Sequence, residues 1–224
     1  MEQKYTQRLI VLIAFITLGL FLVYQFSYQE KKTNNSFVPS GMTEKVILAG
    51  GCFWSLESAF EKLPGVISVV SGYAGGEGEN PTYRDYAERG FREVVEVTYD
   101  PQVLEFNILV EYLIRHSDPT DSKGSFYDRG EEYAPAVYFA TDQEKETAYK
   151  VIRAMDEKKI FSAPLAVAIL PEVRFWSAEA YHQDYALRNP VRYNLYRQAS
   201  GRDAFFQKYW GENNFPTELS PKSL

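Results

Sequence analysis

The order of apolar segments between residues 45 and 140 restricts the fold of this chain more than any other feature. Strand and helix patterns follow one another as β-α-β-β-α-β, over residues 45–49, 53–63, 66–73, 93–99, 105–116 and 134–140. Short β-branched runs mark the strands, and apolar spacing of three to four residues marks the helices. This order is typical of the ferredoxin-like split βαβ fold. It predicts an α+β domain, a two-layer sandwich of helices on a mixed sheet.

The chain after residue 140 contains three weaker signals. Thr141 is followed three residues later by Glu144, which is a capping-box pattern and predicts that a helix begins here. Residues 166–170 form an apolar run that predicts one more strand. A short helix is predicted over residues 177–185.

An uncharged apolar run occupies residues 9–26 near the amino terminus. As a helix, its 18 residues would span about 27 Å, close to the hydrocarbon thickness of a bilayer. It predicts an N-terminal transmembrane helix, as a membrane anchor or uncleaved signal over residues 1–28. A polar linker over 29–43, a globular domain over 44–212 and a tail over 213–224 follow. Basic residues on both flanks favour only weakly an extracytoplasmic domain, periplasmic or extracellular.

The charge and cysteine content exclude several classes of function. The formal net charge is −6, whereas binding to nucleic acid phosphates requires a basic surface. One cysteine, Cys52, permits neither an intramolecular disulfide nor a multi-cysteine zinc site. The two histidines, His116 and His182, are far apart in the sequence, so no metal site is predicted.

Cys52 lies between a predicted strand and a predicted helix, directly after Gly50 and Gly51. A helix N-terminus stabilises a thiolate and lowers the pKa of its cysteine. A free cysteine is also commonly an inert buried residue, so position alone leaves both interpretations open. Glu93 opens the third strand, where burial would raise its pKa and let it donate a proton. A solvated glutamate at the end of a strand is the alternative.

Two other functions are compatible with these residues. In a cysteine hydrolase, Cys52 would attack, His182 would act as base and Asp184 would orient the base. Residues two apart on a helix point to different faces, which weakens this hypothesis. In a membrane-tethered binding module, Cys52 would be structural and the neighbouring aromatic side chains would pack a core.

Seven segments together carry a resemblance to a known family. In chain order they are Gly51-Cys52-Phe53-Trp54, Gly72-Tyr73-Ala74-Gly75-Gly76, Asn80-Pro81-Thr82-Tyr83, Glu93-Val94-Val95-Glu96-Val97-Thr98-Tyr99-Asp100-Pro101, His116-Ser117-Asp118-Pro119-Thr120, Asp128-Arg129-Gly130-Glu131-Glu132-Tyr133 and Ala178-Glu179-Ala180-Tyr181-His182-Gln183-Asp184-Tyr185. With them the chain resembles the A-type peptide-methionine (S)-S-oxide reductases over residues 45–212, as a single-cysteine, membrane-anchored variant.

The resemblance implies the chemistry of each candidate residue. Cys52 would attack the sulfur of methionine S-sulfoxide, and Glu93 would protonate the sulfoxide oxygen. The remaining residues would bind substrate: Phe53 and Trp54 around the methyl group, and Tyr83 and Tyr133 near the oxygen. Asp128 would bind the substrate backbone or orient the site. The reaction would leave Cys52 as a sulfenic acid. No cofactor or metal is implied, only an external thiol from thioredoxin, glutaredoxin or a small molecule.

The chain departs from the common pattern of this family at several places. Gly90-Phe91-Arg92 stands where many members have Gly-His-Ala, and Ser125-Phe126-Tyr127-Asp128 stands where many have Gln-Gly-x-Asp. Many members also carry resolving cysteines near the carboxyl terminus, where this chain has Ala199-Ser200-Gly201-Arg202-Asp203. The proposed chemical groups are retained, and the missing thiol must come from another molecule.

Overall fold

The computed structural model describes residues 41–211, together with Gly19. The chain divides into a short unit, Met1–Val38, and a larger unit, Pro39–Leu224, to which every element below belongs. Apart from Gly19, the predicted membrane segment at residues 9–26 lies outside the described residues, as does the tail from 213 onward. No helix within the described ranges is long and apolar enough to cross a membrane.

Eight strands and six helices make up the larger unit as far as it is described. The strands are β1 (Glu44–Ala49), β2 (Val66–Ala74), β3 (Arg92–Tyr99), β4 (Gly124–Ser125), β5 (Asp128–Arg129), β6 (Ala136–Phe139), β7 (Ala168–Pro171) and β8 (Trp176–Ser177). The helices are α1 (Phe53–Phe60), α2 (Phe106–His116), α3 (Asp142–Glu157), α4 (Tyr185–Arg188), α5 (Pro190–Ala199) and α6 (Arg202–Tyr209). A 3₁₀ turn covers Glu131–Tyr133.

A six-stranded mixed sheet forms the centre of the fold, in the order β7-β6-β1-β3-β2-β8. β3 lies between β1 and β2 and is antiparallel to both, while β6 pairs with β7 in parallel. The four strands of the predicted β-α-β-β-α-β unit are therefore neighbours, in the order β6-β1-β3-β2. The prediction of an α+β domain built on a mixed sheet is confirmed.

Alternation along the strands separates the two faces of the sheet. Val46 and Leu48 of β1 belong to the main core, together with the buried side chains of α1 and α2. Ile47 and Ala49 of the same strand belong to a smaller cluster on the opposite face. Successive side chains of a strand point to opposite faces, so β1 is buried on both sides. Such a central strand holds its carboxyl end, and the residues that follow it, in a fixed position.

The predicted start of α3 is confirmed in detail. Glu144 donates its backbone N–H to Thr141 Oγ1 at 3.2 Å, and Thr141 donates its own N–H to Glu144 Oε2 at 3.2 Å. Both halves of the capping box are therefore present.

The short helix predicted over residues 177–185 is wrong. Ser177 belongs to β8, and α4 begins only after Asp184, whose φ of 53° lies in the left-handed region. The side chain of Gln183 explains the interruption, because it pairs with the backbone of β2. It accepts the N–H of Ser71 at 3.0 Å and donates to the carbonyl of Ser71 at 2.9 Å. These two bonds hold the segment against the sheet edge.

Candidate active site

Cys52 follows β1, which ends at Ala49, and occupies the N-cap position of α1. Gly51 before it has a φ of 101°, a conformation that favours glycine. A Cβ at Gly51 would lie 2.5 Å from Arg202 Nη2 and 2.9 Å from Ser125 Cβ, so the loop also needs the absence of a side chain. The side chain of Cys52 is 7% exposed. The loop thus holds the sulfur just beneath the surface, and position 51 of this loop has no space for a side chain.

Glu93 on β3 faces the start of α1. Its Oε2 accepts the backbone N–H of Phe53 at 3.0 Å, and its Oε1 accepts the hydroxyl of Tyr86 at 2.9 Å. Burial raises the pKa of Glu93 to about 8, despite these two donors and Arg202, which act to lower it. The neutral form of the carboxyl group is therefore favoured near neutral pH, and the group is bonded to the residue that follows Cys52.

A chain of tyrosines extends from Glu93 toward the surface. The hydroxyls of Tyr86 and Tyr133 are 3.0 Å apart, so Tyr133 reaches the carboxyl group through Tyr86. Tyr83 is 41% exposed, and its ring stacks on Tyr86 with the centroids 5.8 Å apart. These hydroxyls continue the hydrogen bonding of the buried carboxyl group toward the surface, where they can donate to a bound substrate oxygen.

Phe53 and Trp54 begin α1 and have different environments. Phe53 is fully buried, with its ring centroid 5.0 Å from that of His182. Trp54 is partly buried, and its ring stacks on Tyr185 at 3.7 Å with an interplanar angle of 8°. Of the two aromatic rings, Trp54 is the one with exposed surface, so it has the larger area available to a substrate methyl group.

The imidazole ring of His182 packs against the rings of Phe53 and Trp54. Its Nδ1 accepts the indole N–H of Trp54 at 3.1 Å, and its Nε2 lies 3.9 Å from Glu179. Burial lowers the pKa of His182, so the neutral imidazole is favoured. The hydrolase alternative needs this histidine as a base for Cys52, whereas the structure uses it to orient Trp54.

Asp128 is held by two residues from the carboxyl-terminal helices. Its Oδ2 accepts the hydroxyl of Tyr196 at 2.6 Å and Nη1 of Arg202 at 3.2 Å. Arg202 Nη1 also donates to the oxygen of Tyr196 at 3.1 Å. The guanidinium of Arg202 is fully buried. A carboxyl group, a phenol and a guanidinium cation therefore form one hydrogen-bonded group beside the loop that carries Cys52.

The resting state of Cys52 differs from the expectation based on its helix N-terminus. Burial, followed by the charge of Glu93, raises the pKa of the thiol above its usual value. Arg202 and the hydroxyl of Tyr196 act in the opposite direction, while Asp128 adds to the rise. The predicted lowering is wrong for the free protein, because desolvation of the thiolate outweighs the favourable groups.

The structure brings most of the predicted site residues together. Phe53 and Trp54 follow Cys52 in the sequence, and Glu93 accepts the backbone N–H of Phe53. Tyr133 is connected to Glu93 through the hydroxyl of Tyr86. Sequence reasoning missed four residues of this group, Tyr86, Glu179, Tyr196 and Arg202. Glu179 accepts the N–H of Tyr83 and the hydroxyl of Tyr73, both at 3.0 Å. Glu179 lies in the last of the seven motif segments, and Arg202 lies in the stretch where many family members carry resolving cysteines.

Comparison with known proteins decides the family. A family model described as peptide methionine sulfoxide reductase matches residues 44–214. The chain belongs to the peptide methionine sulfoxide reductase family. It is an oxidoreductase that reduces methionine sulfoxide, and its cysteine is regenerated by a thiol. The resemblance carried by the seven sequence segments is thereby confirmed.

Two relatives show how far the similarity extends. A protein of Vibrio cholerae named peptide methionine sulfoxide reductase MsrA/MsrB is 42% identical over 215 residues, which cover 95% of this chain and 55% of that relative. A peptide methionine sulfoxide reductase MsrA 2 of Staphylococcus aureus is 42% identical over 173 residues, covering 76% of this chain and 98% of that relative. The chain thus spans about half the length of the first relative and nearly all of the second.

Solved structures of the family share the fold. Methionine sulfoxide reductase A of Corynebacterium diphtheriae superposes with a TM-score of 0.63 at 32% identity, covering 67% of this chain and 78% of that chain. Mxr1 of Saccharomyces cerevisiae in its reduced form gives the same TM-score at 28% identity, covering 69% and 90%. The arrangement around Cys52 is therefore set in an architecture of this reductase family.

Proposed function

We propose that this chain reduces the S epimer of methionine sulfoxide, free and within peptides or proteins, with Cys52 as nucleophile and Glu93 as proton donor. One observation carries the proposal. Glu93, whose pKa is raised to about 8 by burial, accepts the backbone N–H of Phe53 at 3.0 Å, next to the nucleophile. A sulfoxide oxygen leaves poorly until it is protonated, so the reaction needs such a neutral acid close to the attacking sulfur.

The proposed reaction transfers one oxygen atom between two sulfur atoms. The sulfur of Cys52 attacks the sulfoxide sulfur, while Glu93 supplies a proton to the sulfoxide oxygen. The oxygen, with its proton, then leaves the substrate sulfur and bonds to the sulfur of Cys52, the bond between the two sulfur atoms breaks, and methionine leaves. Cys52 loses two electrons and becomes a sulfenic acid, while the substrate gains two. The proton of the original thiol restores Glu93, so atoms and electrons balance.

The aromatic rings and the tyrosine chain would separate the two epimers. An apolar methyl group fits against Trp54, with Phe53 beneath it, while the oxygen fits toward Glu93 and the hydroxyls of Tyr83 and Tyr133. Asp128 would contact the substrate backbone. Exchange of the methyl group and the oxygen places each against a surface of the wrong polarity, which disfavours the R epimer. One enzyme for each epimer is the general pattern for sulfoxide reduction.

Regeneration in this proposal uses thiols from other molecules. Cys52 is the sole cysteine of the sequence, so no second thiol of this chain can attack the sulfenic acid. One external thiol would form a mixed disulfide with Cys52 and release water, and a second thiol would then release Cys52. Thioredoxin, glutaredoxin or a small thiol would each supply this chemistry.

The location that we propose follows from the amino-terminal sequence. The uncharged run at residues 9–26 has the length and composition of a membrane anchor, and flanking charges favour an extracytoplasmic domain. Protease treatment of intact cells tests the location. Cleavage of the domain without cell lysis supports it, and protection until lysis contradicts it.

Turnover of separated S and R epimers with dithiothreitol as reductant tests the function. We expect methionine from the S epimer and little from the R epimer. Equal rates for the two epimers would contradict the proposed arrangement of methyl and oxygen sites. The same assay on a thioester or amide substrate should give no product, since His182 is bonded to Trp54.

A further inference from the structure

Arg202 is the largest fully buried side chain among the described residues. Burial of a guanidinium costs much free energy unless its charge is compensated and its N–H groups are bonded. Arg202 has one charged partner, Asp128, which it contacts through Nη1 at 3.2 Å. Its Cζ also lies 4.6 Å from the ring centroid of Phe126, which contributes a cation–π contact.

The other two nitrogen atoms of this guanidinium group differ from Nη1 in their hydrogen bonding. Nε and Nη2 are buried and have no hydrogen-bond partner in the described part of the chain. Nη2 lies against the loop of Cys52, since a Cβ at Gly51 would be only 2.5 Å from it. A buried donor without a partner is costly, which suggests that an acceptor occupies the site during function.

The remaining charged groups around Cys52 make negative charge on its sulfur unfavourable. Glu93 on β3 and Asp128 on β5 are acidic and raise the pKa of the thiol, whereas the hydroxyl of Tyr196 lowers it. The hydroxyls of Tyr83 and Tyr133 also interact with the sulfur. Among the groups with the largest effect on the pKa of Cys52 in the described part of the chain, Arg202 is the cation. It therefore opposes both the desolvation of the thiolate and the two acids.

We propose that Arg202 stabilises the Cys52 thiolate directly, with its free Nη2 group directed at the loop that carries the sulfur, beyond its pairing with Asp128. This inference deepens the proposed function, because it assigns a residue to activation of the same nucleophile. Tyr196, bonded to both Arg202 and Asp128, holds the guanidinium in place. In this chain the carboxyl-terminal helices thus supply a cation to the active site.

The competing explanation is that Arg202 only neutralises Asp128. The pH dependence of Cys52 alkylation by iodoacetamide separates the two, because only the thiolate reacts and this chain has no other cysteine. It requires no turnover, so it can fail while sulfoxide reduction persists, or succeed where reduction fails. The variants are Arg202→Met, Asp128→Asn and the double variant. Arg202→Lys tests rescue by charge, and Arg197→Met is a matched control from α5 whose guanidinium pairs with Asp203.

In Arg202→Met we expect the midpoint of the alkylation profile to rise by about one pH unit or more, a tenfold loss of thiolate at a fixed lower pH. Arg202→Lys should restore part of this loss, and Arg197→Met should match the unaltered chain. The decisive comparison is between the double variant and Asp128→Asn, since neither contains the acid. A higher midpoint in the double variant supports direct action on Cys52. Equal midpoints overturn the proposal.

Loss of folding in Arg202→Met does not limit this test. Arg202→Met alone leaves Asp128 as an unpaired buried charge, which is strongly destabilising. The double variant removes both charges, and replacement of a whole buried pair by neutral groups is commonly tolerated. Asp128→Asn removes the charge but keeps a side-chain oxygen that can accept from Arg202 Nη1, so its comparison with the double variant gives a result even where Arg202→Met does not fold.

Discussion

The backbone N–H of Phe53 donates a 3.0 Å hydrogen bond to the carboxyl group of Glu93, although 40 positions separate the two residues in the sequence. The bond joins the first turn of α1 to β3. An N–H group in the first turn of a helix has no partner within the helix, so a side-chain acceptor is needed there. Glu93 satisfies that need, and the same contact places its proton beside Cys52. One hydrogen bond thus caps the first turn of α1 and also positions the acid.

Replacement of the nucleophile is the first prediction. Cys52→Ser should reduce S-sulfoxide turnover on the order of 10³-fold or more, because a hydroxyl is a far weaker nucleophile than a thiolate. In the unaltered chain, substrate without added thiol should yield one equivalent of methionine per chain, and dimedone should label Cys52. Turnover near that of the unaltered chain in Cys52→Ser would exclude the mechanism, and so would the absence of a dimedone adduct.

The second prediction concerns the proton donor. Glu93→Gln should slow the reductive step by about 10²-fold to 10⁴-fold, the usual range for loss of a general acid. Glu93→Asp should be less damaging, since it keeps a carboxyl group on β3. Rapid-quench measurement of methionine formed in a single turnover isolates this step from regeneration. If Glu93→Gln reacts as fast as the unaltered chain, another group is the acid.

Tyr86, which the sequence did not single out, provides the third prediction. Its hydroxyl bond to Glu93 favours the ionised carboxylate and so lowers the pKa of Glu93. Tyr86→Phe should therefore raise that pKa above about 8, and the loss of single-turnover rate at alkaline pH should move to higher pH. Tyr112→Phe is the control, because its hydroxyl bonds the carbonyl of Ala59. A shift toward lower pH in Tyr86→Phe would refute the assignment.

The fourth prediction concerns stability and pH at Glu57. Burial raises the pKa of this carboxyl group to about 8, from an ordinary value near 4.5. Between these two pH values the folded state holds a proton that the unfolded state releases. The stability that protonated Glu57 contributes is therefore complete below about pH 4.5 and is lost as the pH rises through about 8. Glu57→Gln keeps a neutral side chain and should unfold in urea with a free energy that depends less on pH between 5 and 8. A steeper dependence would contradict the sign.

The capping box of α3 provides the fifth prediction. Thr141→Ala removes the acceptor of the Glu144 N–H and should lower the free energy of unfolding by about 1 kcal/mol. Thr147→Ala is a matched control on the same helix, since its hydroxyl bonds the carbonyl of Gln143 within the helix and caps no free N–H. Urea denaturation of both variants measures the difference. Equal losses would show that the cap contributes nothing specific.

The sequence predicted the central sheet well because its signals are local. The alternation around Glu96 identifies β3 without reference to any other part of the chain, and Thr141 with Glu144 identifies the start of α3 in the same way. Residues 177–185 were predicted incorrectly because the side chain of Gln183 bonds Ser71, which is 112 positions away. No local pattern contains that partner.

The site was predictable to the extent that its residues lie in family motifs. Cys52 and Glu93 could be named from their positions after a strand and at the start of another, and the resemblance gave their roles. Arg202 could not be found, because its importance depends on burial against Gly51 and on a bond to Asp128, 74 positions earlier. A lone arginine after a glycine gives no local indication of either contact.

The position of Tyr196 and Arg202 on the last two described helices has a consequence for synthesis of the protein. Every strand of the sheet precedes them, so a nascent chain can pair its strands and bring Glu93 to Phe53 before residue 196 has left the ribosome. At that stage Asp128 lies near Cys52 without its cation. The hydrogen-bonded group beside the loop of Cys52 is therefore completed last, when Arg202 on α6 reaches Asp128.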